Sequence, residues 1–547
     1  MFFVLSFLII VGYSVLFPPS QEKADQNSNS KDQIVRQEAK SDNSPVNTPV
    51  KNASVNNDIS KQSNDIINVK SNIYEGKVDT YGGRIVEWIL SDYNQTTDPD
   101  SGKYSLLHNL PPNFNMSVLS QTVDIPDPIP FKYTGGRDVI VKDTPEEIKL
   151  SWISPEGIEI EKTLTFGPNS YLVNVDFSIT NRSQNPFRES TSVDIFSILL
   201  KKATSSRSLN NEFIAFVSND IQKGTKIPEE AEKYTGNISW FGFLDKYFLY
   251  TFLPESSAEN YVTLTAVNEN GLVNALYYYP ENEIKPSNSQ EYKSKIYLGP
   301  LDYKILSNAS PDLHYAIDYG KIEFLAKPVL NLLNYLNQIF NNYGLSIIVI
   351  TILIRIVFLP LTIKSMSSMK RVQIKMQELK PKIDALKEKY KDDKSTQNTE
   401  MMKLYTSHGV NPLSSLGGCL PMLIQIPVFF ALYEVLLYSI DLRHSHFLWI
   451  NDLSAPEHLF DIPGIGIPFR ILPLAMGVSW FISQKMTPST TPGSEQMELQ
   501  MKMMQFMPII FTVMFWGLPS GLILYWTVSN ILSIGQQLYV NKRTNPQ

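Results

Sequence analysis

The sequence predicts a polytopic α-helical membrane protein with six spans, a large antiparallel β-sandwich domain on the outer side and a helical hairpin in the cytoplasm. Three observations carry this reading. Apolar runs of near-spanning length recur after residue 343, whereas a long stretch before it alternates apolar with polar residues. Charge divides at the same place: Met1–Tyr343 holds 30 Lys+Arg and 41 Asp+Glu, and Gly344–Gln547 holds 18 and 13. Of 16 methionines, all but Met1 and Met116 lie after residue 360. A chain of 547 residues has room for several domains. Its net charge of −6 argues against a nucleic-acid substrate, and its single cysteine excludes an internal disulfide framework or a Cys-based zinc site.

Residues 1–17 form an uncharged apolar run ending at Pro18-Pro19, with no A-x-A-like cleavage site, and read as an uncleaved membrane anchor. Residues 18–71 read as a disordered tether. Positions 21–70 contain no Gly and no aromatic residue, too little apolar surface to offset the entropy of ordering. The β-sandwich domain is placed at 72–320. Tyr171, Val173, Val175, Phe177 and Ile179 share one face of a strand, with Asn174, Asp176, Ser178 and Thr180 on the other; Ile158, Ile160, Leu164 and Phe166 repeat the pattern. Gly82-Gly83, Gly135-Gly136, Gly167-Pro168 and Asn270-Gly271 supply turn signals. Such a domain exceeds an immunoglobulin-type unit in size. Loose attachment through the tether is expected.

Residues 321–342 switch to helical spacing. Leu325, Val329, Leu332, Leu333, Leu336, Ile339 and Phe340 make a stripe suited to a helix in the membrane interface, or to one packed on the β-domain. The core, 343–541, contains five spans: Gly344–Ile363, Leu416–Tyr438, Ile471–Gln484, Phe506–Trp516 and Leu522–Leu538. The last two reverse at Gly517-Leu518-Pro519-Ser520-Gly521. Lys364–Pro412 carries 11 Lys+Arg but Ser439–Arg470 only two, which places 364–412 and the tail, 542–547, in the cytoplasm and 18–343 outside.

Within 364–412, Met369, Val372, Met376, Leu379, Ile383, Leu386 and Tyr390 recur at alternating spacings of 3 and 4, a heptad seam for a helical hairpin. Lys391–Lys394 reads as its turn and Thr399–His408 as the returning helix. Pro381 should kink the first helix or force a fresh start. A charge-rich solvated loop is the alternative.

Arg355 is the sharpest single residue. It lies about 2 Å from the middle of its span, where a charge costs at least roughly 2.5–3.5 kcal/mol on insertion scales. It must line a wet cavity or sit in a structural hydrogen-bond network. Thr351, four residues earlier, shares its face, and Gln425 is mid-span in the next helix. On the outer loop His444, His446 and His458 accompany Asp441, Asp452, Glu457 and Asp461, read as an exposed polar loop rather than a metal site. No GxxxxGK[ST], HExxH or GxSxG occurs, so no enzyme, cofactor or metal is predicted.

Three segments carry a resemblance. LKPKIDALKEKYKDDKSTQNTEMMKLYTSHGVNPLSSLGGCLPMLIQIPVFFALYEVL (379–436), FLWINDLSAPE (447–457) and FMPIIFTVMFWGLPSGLILYWTVSNILSIGQQ (506–537) closely resemble the YidC/Oxa family of membrane protein insertases. The tether and β-domain resemble its Gram-negative form in layout. The resemblance implies a periplasmic β-supersandwich and a function in helping nascent membrane proteins enter the inner membrane, alone or beside the Sec translocon. It also implies that Arg355 is the groove arginine, Gln425 the core glutamine, and Trp526, beside Tyr525, the substrate-contacting aromatic of the last span. The hairpin, with its net positive charge, then suits ribosomes, targeting factors or anionic lipids. Two rivals stand beside this reading: a small-solute transporter with Arg355 binding an anion, and a periplasmic ligand-binding envelope scaffold. Transporters usually show internal repeats, and none is visible here.

Overall fold

The computed structural model describes residues 65–199, 211–255, 260–391, 393–408, 420–464, 466–486 and 495–544. The anchor at 1–17, most of the tether and Cys419 lie outside these residues.

The first part of the described chain is built on three sheets. An eight-stranded antiparallel sheet runs, in spatial order, through Asp220–Gly224, Glu212–Val217, Ile238–Asp245, Phe248–Pro254, Ser289–Pro300, Leu172–Asn181, Ile158–Phe166 and Glu146–Ile153. A second sheet is centred on Phe187–Ile198, which pairs with Leu272–Tyr278, Asn282–Ile284 and Met116–Leu119. A five-stranded sheet holds Lys103–Ser105, Arg84–Asn94, Tyr74–Asp79, Ile66–Lys70 and Asp138–Ile140, the last pair parallel. The alternation translates directly into burial: Ile158, Ile160, Leu164, Phe166, Val173, Val175, Phe177 and Ile179 are all buried. Trp88 is fully enclosed and donates its indole N–H to the Leu298 carbonyl at 3.1 Å.

Two expectations need correction here. The tether stops before residue 66, because Ile66–Lys70 is a strand whose Ile67 and Val69 are buried in the core. The scarcity of apolar residues holds for the stretch as a whole but not for its last five positions. The inward face of Ile158–Phe166 also includes a charge. Lys162 is 1% exposed, and its Nζ donates to the carbonyls of Phe114 at 2.9 Å and Gly82 at 3.3 Å. Gly82 and Gly83 both adopt positive φ, and a Cβ on Gly83 would press on the Lys162 stem, so the glycine turn makes room for the lysine.

Eight helices follow among the described residues: α1 (Tyr303–Ala309), α2 (Glu323–Phe340), α3 (Tyr343–Lys389), α4 (Lys394–Ser407), α5 (Leu420–Tyr438), α6 (Ile471–Met486), α7 (Glu495–Met514) and α8 (Ser520–Thr544). Two adjacent asparagines separate α2 from α3. Asn341 takes the left-handed conformation that stops α2, and the Asn342 side chain accepts from Leu345 N at 3.0 Å to start α3. α2 packs on α3 and α5 through Ala326, Leu333 and Leu336, while Phe324, Tyr335, Ile339 and Phe340 are exposed.

α3 is a continuous helix of 47 residues through both Pro360 and Pro381, so no fresh start occurs at Pro381. A proline removes one backbone bond, at roughly 3 kcal/mol in a helix interior. Packing on both sides of Pro381 opposes that loss: Met376, Leu379 and Ile383 bury against Met401, with Val372, Leu404 and Tyr405 around them. Leu386 and Tyr390 are only half-buried, and nothing is described of the Met369 side chain. The returning helix begins at Lys394, five residues earlier than expected. Asp393 caps it, accepting from Ser395 N and Thr396 N at 3.1 Å each.

Among the described residues α3 alone is long and apolar enough to cross a membrane by length and composition; Gln425–Tyr438 and Gln505–Met514 are shorter apolar helices. α8 packs along α3 and α6, and α6 meets α7 at Gly477, where a Cβ would collide with Thr512.

Candidate functional site

The polar groups inside the helical region converge on α8. Arg355 on α3 is half-buried and points at Ser529. Its Nε donates to Ser529 Oγ at 3.1 Å and its Nη2 to the Ser529 carbonyl at 2.9 Å. A helix carbonyl keeps acceptor capacity beyond its backbone bond, and Arg355 shares that of Ser529 with Ser533 Oγ, which donates to it at 3.0 Å. One turn earlier on the same face stands Tyr525, 1% exposed, whose hydroxyl accepts a hydrogen bond from the Gln425 amide of α5. A polar string, Gln425–Tyr525–Ser529–Arg355, thus ties three helices together.

The structure separates the remaining sequence candidates. Thr351 does not join Arg355: it is fully buried, and its hydroxyl donates to the Ile347 carbonyl of its own helix at 2.5 Å. Trp526 leaves the string for an aromatic cluster, with ring centroids 4.8 Å from Phe429, 4.9 Å from Phe515 and 5.8 Å from Trp480. Ser529 escaped the sequence reading. Its only signal was the Ser529-Asn530 pair inside an apolar run, and Asn530 in turn lies 3.3 Å from Ser479 Oγ on α6. Elsewhere on α3, Ile352, Leu353, Ile356 and Val357 are exposed.

The Ser439–Arg470 segment packs against the start of α8. Ser520 N and Gly521 N, at the start of α8, donate to the Ala455 and Leu453 carbonyls at 2.8 Å each. Glu457 accepts from Leu472 N and from Trp449 Nε1, at 2.6 Å each. Phe447 fills the space above Gly344, where any Cβ would strike its ring. The other loop carboxylates are also committed: Asp452 caps Ser454, Asp441 accepts from Asn334 of α2 at 3.2 Å, and Asp461 pairs with His458 at 3.1 Å. Burial raises the Asp441 carboxyl above its ordinary range. Among the described residues no three His, Cys, Asp or Glu side chains converge as a metal site.

The expected loose attachment of the β-domain is also corrected. Arg443 of this loop reaches the β-domain, donating to the Gln95 carbonyl at 3.0 Å and lying over Tyr104 and Phe248. A tether before residue 66 does not preclude a docked domain after it, and the docking residues are too scattered in sequence to announce themselves.

Comparison with known proteins agrees with this architecture. The family model described as YidC periplasmic domain matches residues 66–332, and the one described as 60Kd inner membrane protein matches 335–547. The chain is 37% identical over 485 residues to a protein of Pelobacter propionicus named membrane protein insertase YidC, covering 88% of this chain and 87% of that one. A protein of the same name from Geobacter metallireducens is 33% identical, with 98% of this chain and 97% of the relative covered. A crystal structure titled as an active YidC insertase with its first transmembrane domain resolved aligns at 18% identity and a TM-score of 0.35, over 87% of this chain and 92% of that one. With both halves of the chain matched, and with relatives above 30% identity over nearly their full length, the chain belongs to the YidC family.

Proposed function

We propose that the chain is a membrane protein insertase that assists nascent inner-membrane proteins into the bilayer and in folding there, alone or with the Sec translocon. The observation that carries the reading is Arg355, a half-buried cation among apolar helices, held to α8 through Ser529 and capped on the outer side by the 439–470 loop. A hydrophobic segment with a polar tail meets a barrier of several kcal/mol for each unpaired polar group taken into hydrocarbon. Polar groups at mid-membrane depth lower that barrier. Arg355 attracts acidic residues of the tail, and the apolar segment leaves along the exposed aliphatic faces of α3 and α7 into lipid. Partitioning into lipid drives the step, with no cofactor and no catalytic residue.

The topology proposed with this function has six spans, the anchor at 1–17 and five in 343–541. Both termini and the 364–412 hairpin are cytoplasmic, residues 18–343 are periplasmic, and α2 lies in the outer interface with Phe324, Tyr335, Ile339 and Phe340 toward lipid. The basic hairpin is the docking arm for ribosomes, targeting factors or anionic headgroups. The test is site-specific crosslinking from positions 355, 425, 525 and 526 to a stalled nascent membrane protein. Crosslinks from these positions, and none from the outer face of the β-domain, are expected; the converse pattern rejects the reading.

A further inference from the structure

Between Ser439 and Arg470 the only Lys or Arg residues are Arg443 and Arg470, and a cation on the translocated side of a membrane protein runs against the usual charge bias. Arg443 is held from several directions by the β-domain. Its Nη2 donates to the Gln95 carbonyl at 3.0 Å, and its guanidinium carbon lies 5.3 Å from the Tyr104 ring centroid and 5.5 Å from that of Phe248. Those rings stack at 4.2 Å, Tyr93 meets Phe248 edge-on at 5.3 Å, and the Tyr104 hydroxyl donates to Asp245. Phe248 is 1% exposed, so the floor of this clasp is part of the β-domain core.

On its other side Arg443 belongs to a tightly bonded loop. Ser445 N donates to the Leu442 carbonyl at 3.1 Å, Leu453 N to the Ser445 carbonyl at 2.9 Å, and Phe447 and Ile450 exchange two bonds of 2.9 Å. The Leu453 carbonyl then receives Gly521 N. A Cβ on Gly521 would stand 3.0 Å from the Leu453 oxygen and 3.3 Å from Ile347 Cδ1 on α3, a fit with little slack. Tyr525 and Ser529 follow on α8 one and two turns later.

We propose that Arg443 is a positioning residue: the β-domain, by clasping it, holds the outer loop against the first turn of α8 and so fixes the height of Tyr525 and Ser529 relative to Arg355. This rests on the insertase reading for its consequence in activity, but its structural content stands apart from it.

The experiment uses the full chain in lipid nanodiscs and compares hydrogen exchange with insertion of a client having an acidic translocated tail. The variants are Arg443→Ala, Arg443→Lys and, from the β-domain side, Tyr104→Leu. Arg443→Ala and Tyr104→Leu should each raise exchange at Ser520 and Gly521 on the order of tenfold, the scale set by a single charged hydrogen bond or cation–π interaction, and lower insertion with it. Arg443→Lys, which keeps the charge but not the flat face, should fall between. A role confined to domain docking would loosen residues 93–104 and leave Ser520 and Gly521 protected in both variants, which overturns the proposal. If Arg355→Ala inserts normally while Arg443→Ala still unprotects Ser520 and Gly521, the reading of Arg355 falls and the clasp stands.

Discussion

Ser529→Ala separates two roles for Arg355 that Arg355→Ala alone cannot. Among the described residues the guanidinium hydrogen-bonds to one, through the Ser529 hydroxyl and the Ser529 carbonyl. The alanine variant removes the hydroxyl and leaves the carbonyl bond of 2.9 Å in place. A hydrogen bond to a charged group contributes about 1.5–3 kcal/mol in water-soluble proteins. Between membrane helices measured couplings average only about 0.6 kcal/mol and reach about 1.7. Ser529→Ala should therefore cost roughly 1 kcal/mol of helix association and leave the charge where it is. If Arg355 acts by attracting client carboxylates, Ser529→Ala inserts acidic-tailed clients within about fivefold of the parent by this estimate. Arg355→Ala then fails on the same clients, and Arg355→Lys largely restores them because an ammonium supplies the charge. The assay is protease protection of a translocated tail in cells depleted of their own insertase. A Ser529→Ala variant as defective as Arg355→Ala, with no rescue by lysine, would mean that Arg355 is a staple between α3 and α8 and would refute the argument.

Deleting residues 382–406 should lower insertion while the spans still assemble, since the seam of Met376, Leu379, Ile383 and Met401 packs within the hairpin; a stable, fully active deletion contradicts its role as a docking arm. Removing most of 72–310 while keeping the anchor and α2 should retain insertion, reduced no further than by Arg443→Ala, in a complementation assay; complete loss in a membrane-integrated protein contradicts this. In the β-domain, burial pushes the carboxyl of half-buried Asp194 up to about 7 and the ammonium of fully buried Lys162 down to about 7. The raised acid contributes stability that is lost as pH rises from about 4 to 7, the lowered base stability that is lost as pH falls from about 10.5 to 7, so thermal unfolding should show a minimum near pH 7. Asp194→Asn should remove the acidic limb of that curve and Lys162→Met the alkaline one; unchanged limbs contradict the assignment.

Much of the fold is legible because burial follows period. The strands at 158–166 and 172–181 announce themselves by alternation, and their apolar inward residues are buried. The same habit hides Lys162: counting apolar letters skips an inward position filled by a charge whose partners, Phe114 and Gly82, are 48 and 80 residues away. The fresh start that Pro381 suggests fails for a different reason. Proline rules are local, whereas the packing of α4 on α3 is tertiary. Within the site, Arg355 is conspicuous because a charge in an apolar run has a large cost. Ser529 carries no such cost, and only its neighbour Asn530 sets it apart from the serines that merely bond their own helix, as Ser533 does to the Ser529 carbonyl. Arg443 was legible as a charge and illegible as a contact, because its partners Gln95, Tyr104 and Phe248 come from a loop and two strands far away in the chain.

The two arginines pose the same physical problem at different depths. Each is a cation in a place that disfavours cations, and each is held by oxygen acceptors rather than by a paired carboxylate. Arg355 uses a hydroxyl and a helix carbonyl, and Arg443 a loop carbonyl with two aromatic faces. Neutral acceptors stabilise a guanidinium without discharging it, so the positive potential stays available to a passing anion. A carboxylate partner for Arg355 would cancel that potential and convert the site into an inert buried ion pair. Under the insertase reading this predicts that Ser529→Asp, unlike Ser529→Ala, abolishes insertion of acidic-tailed clients while leaving the helices assembled. The checks are the protease-protection assay and thermal stability of the purified variant. Normal insertion by Ser529→Asp would show that the charge of Arg355 is not what the client meets.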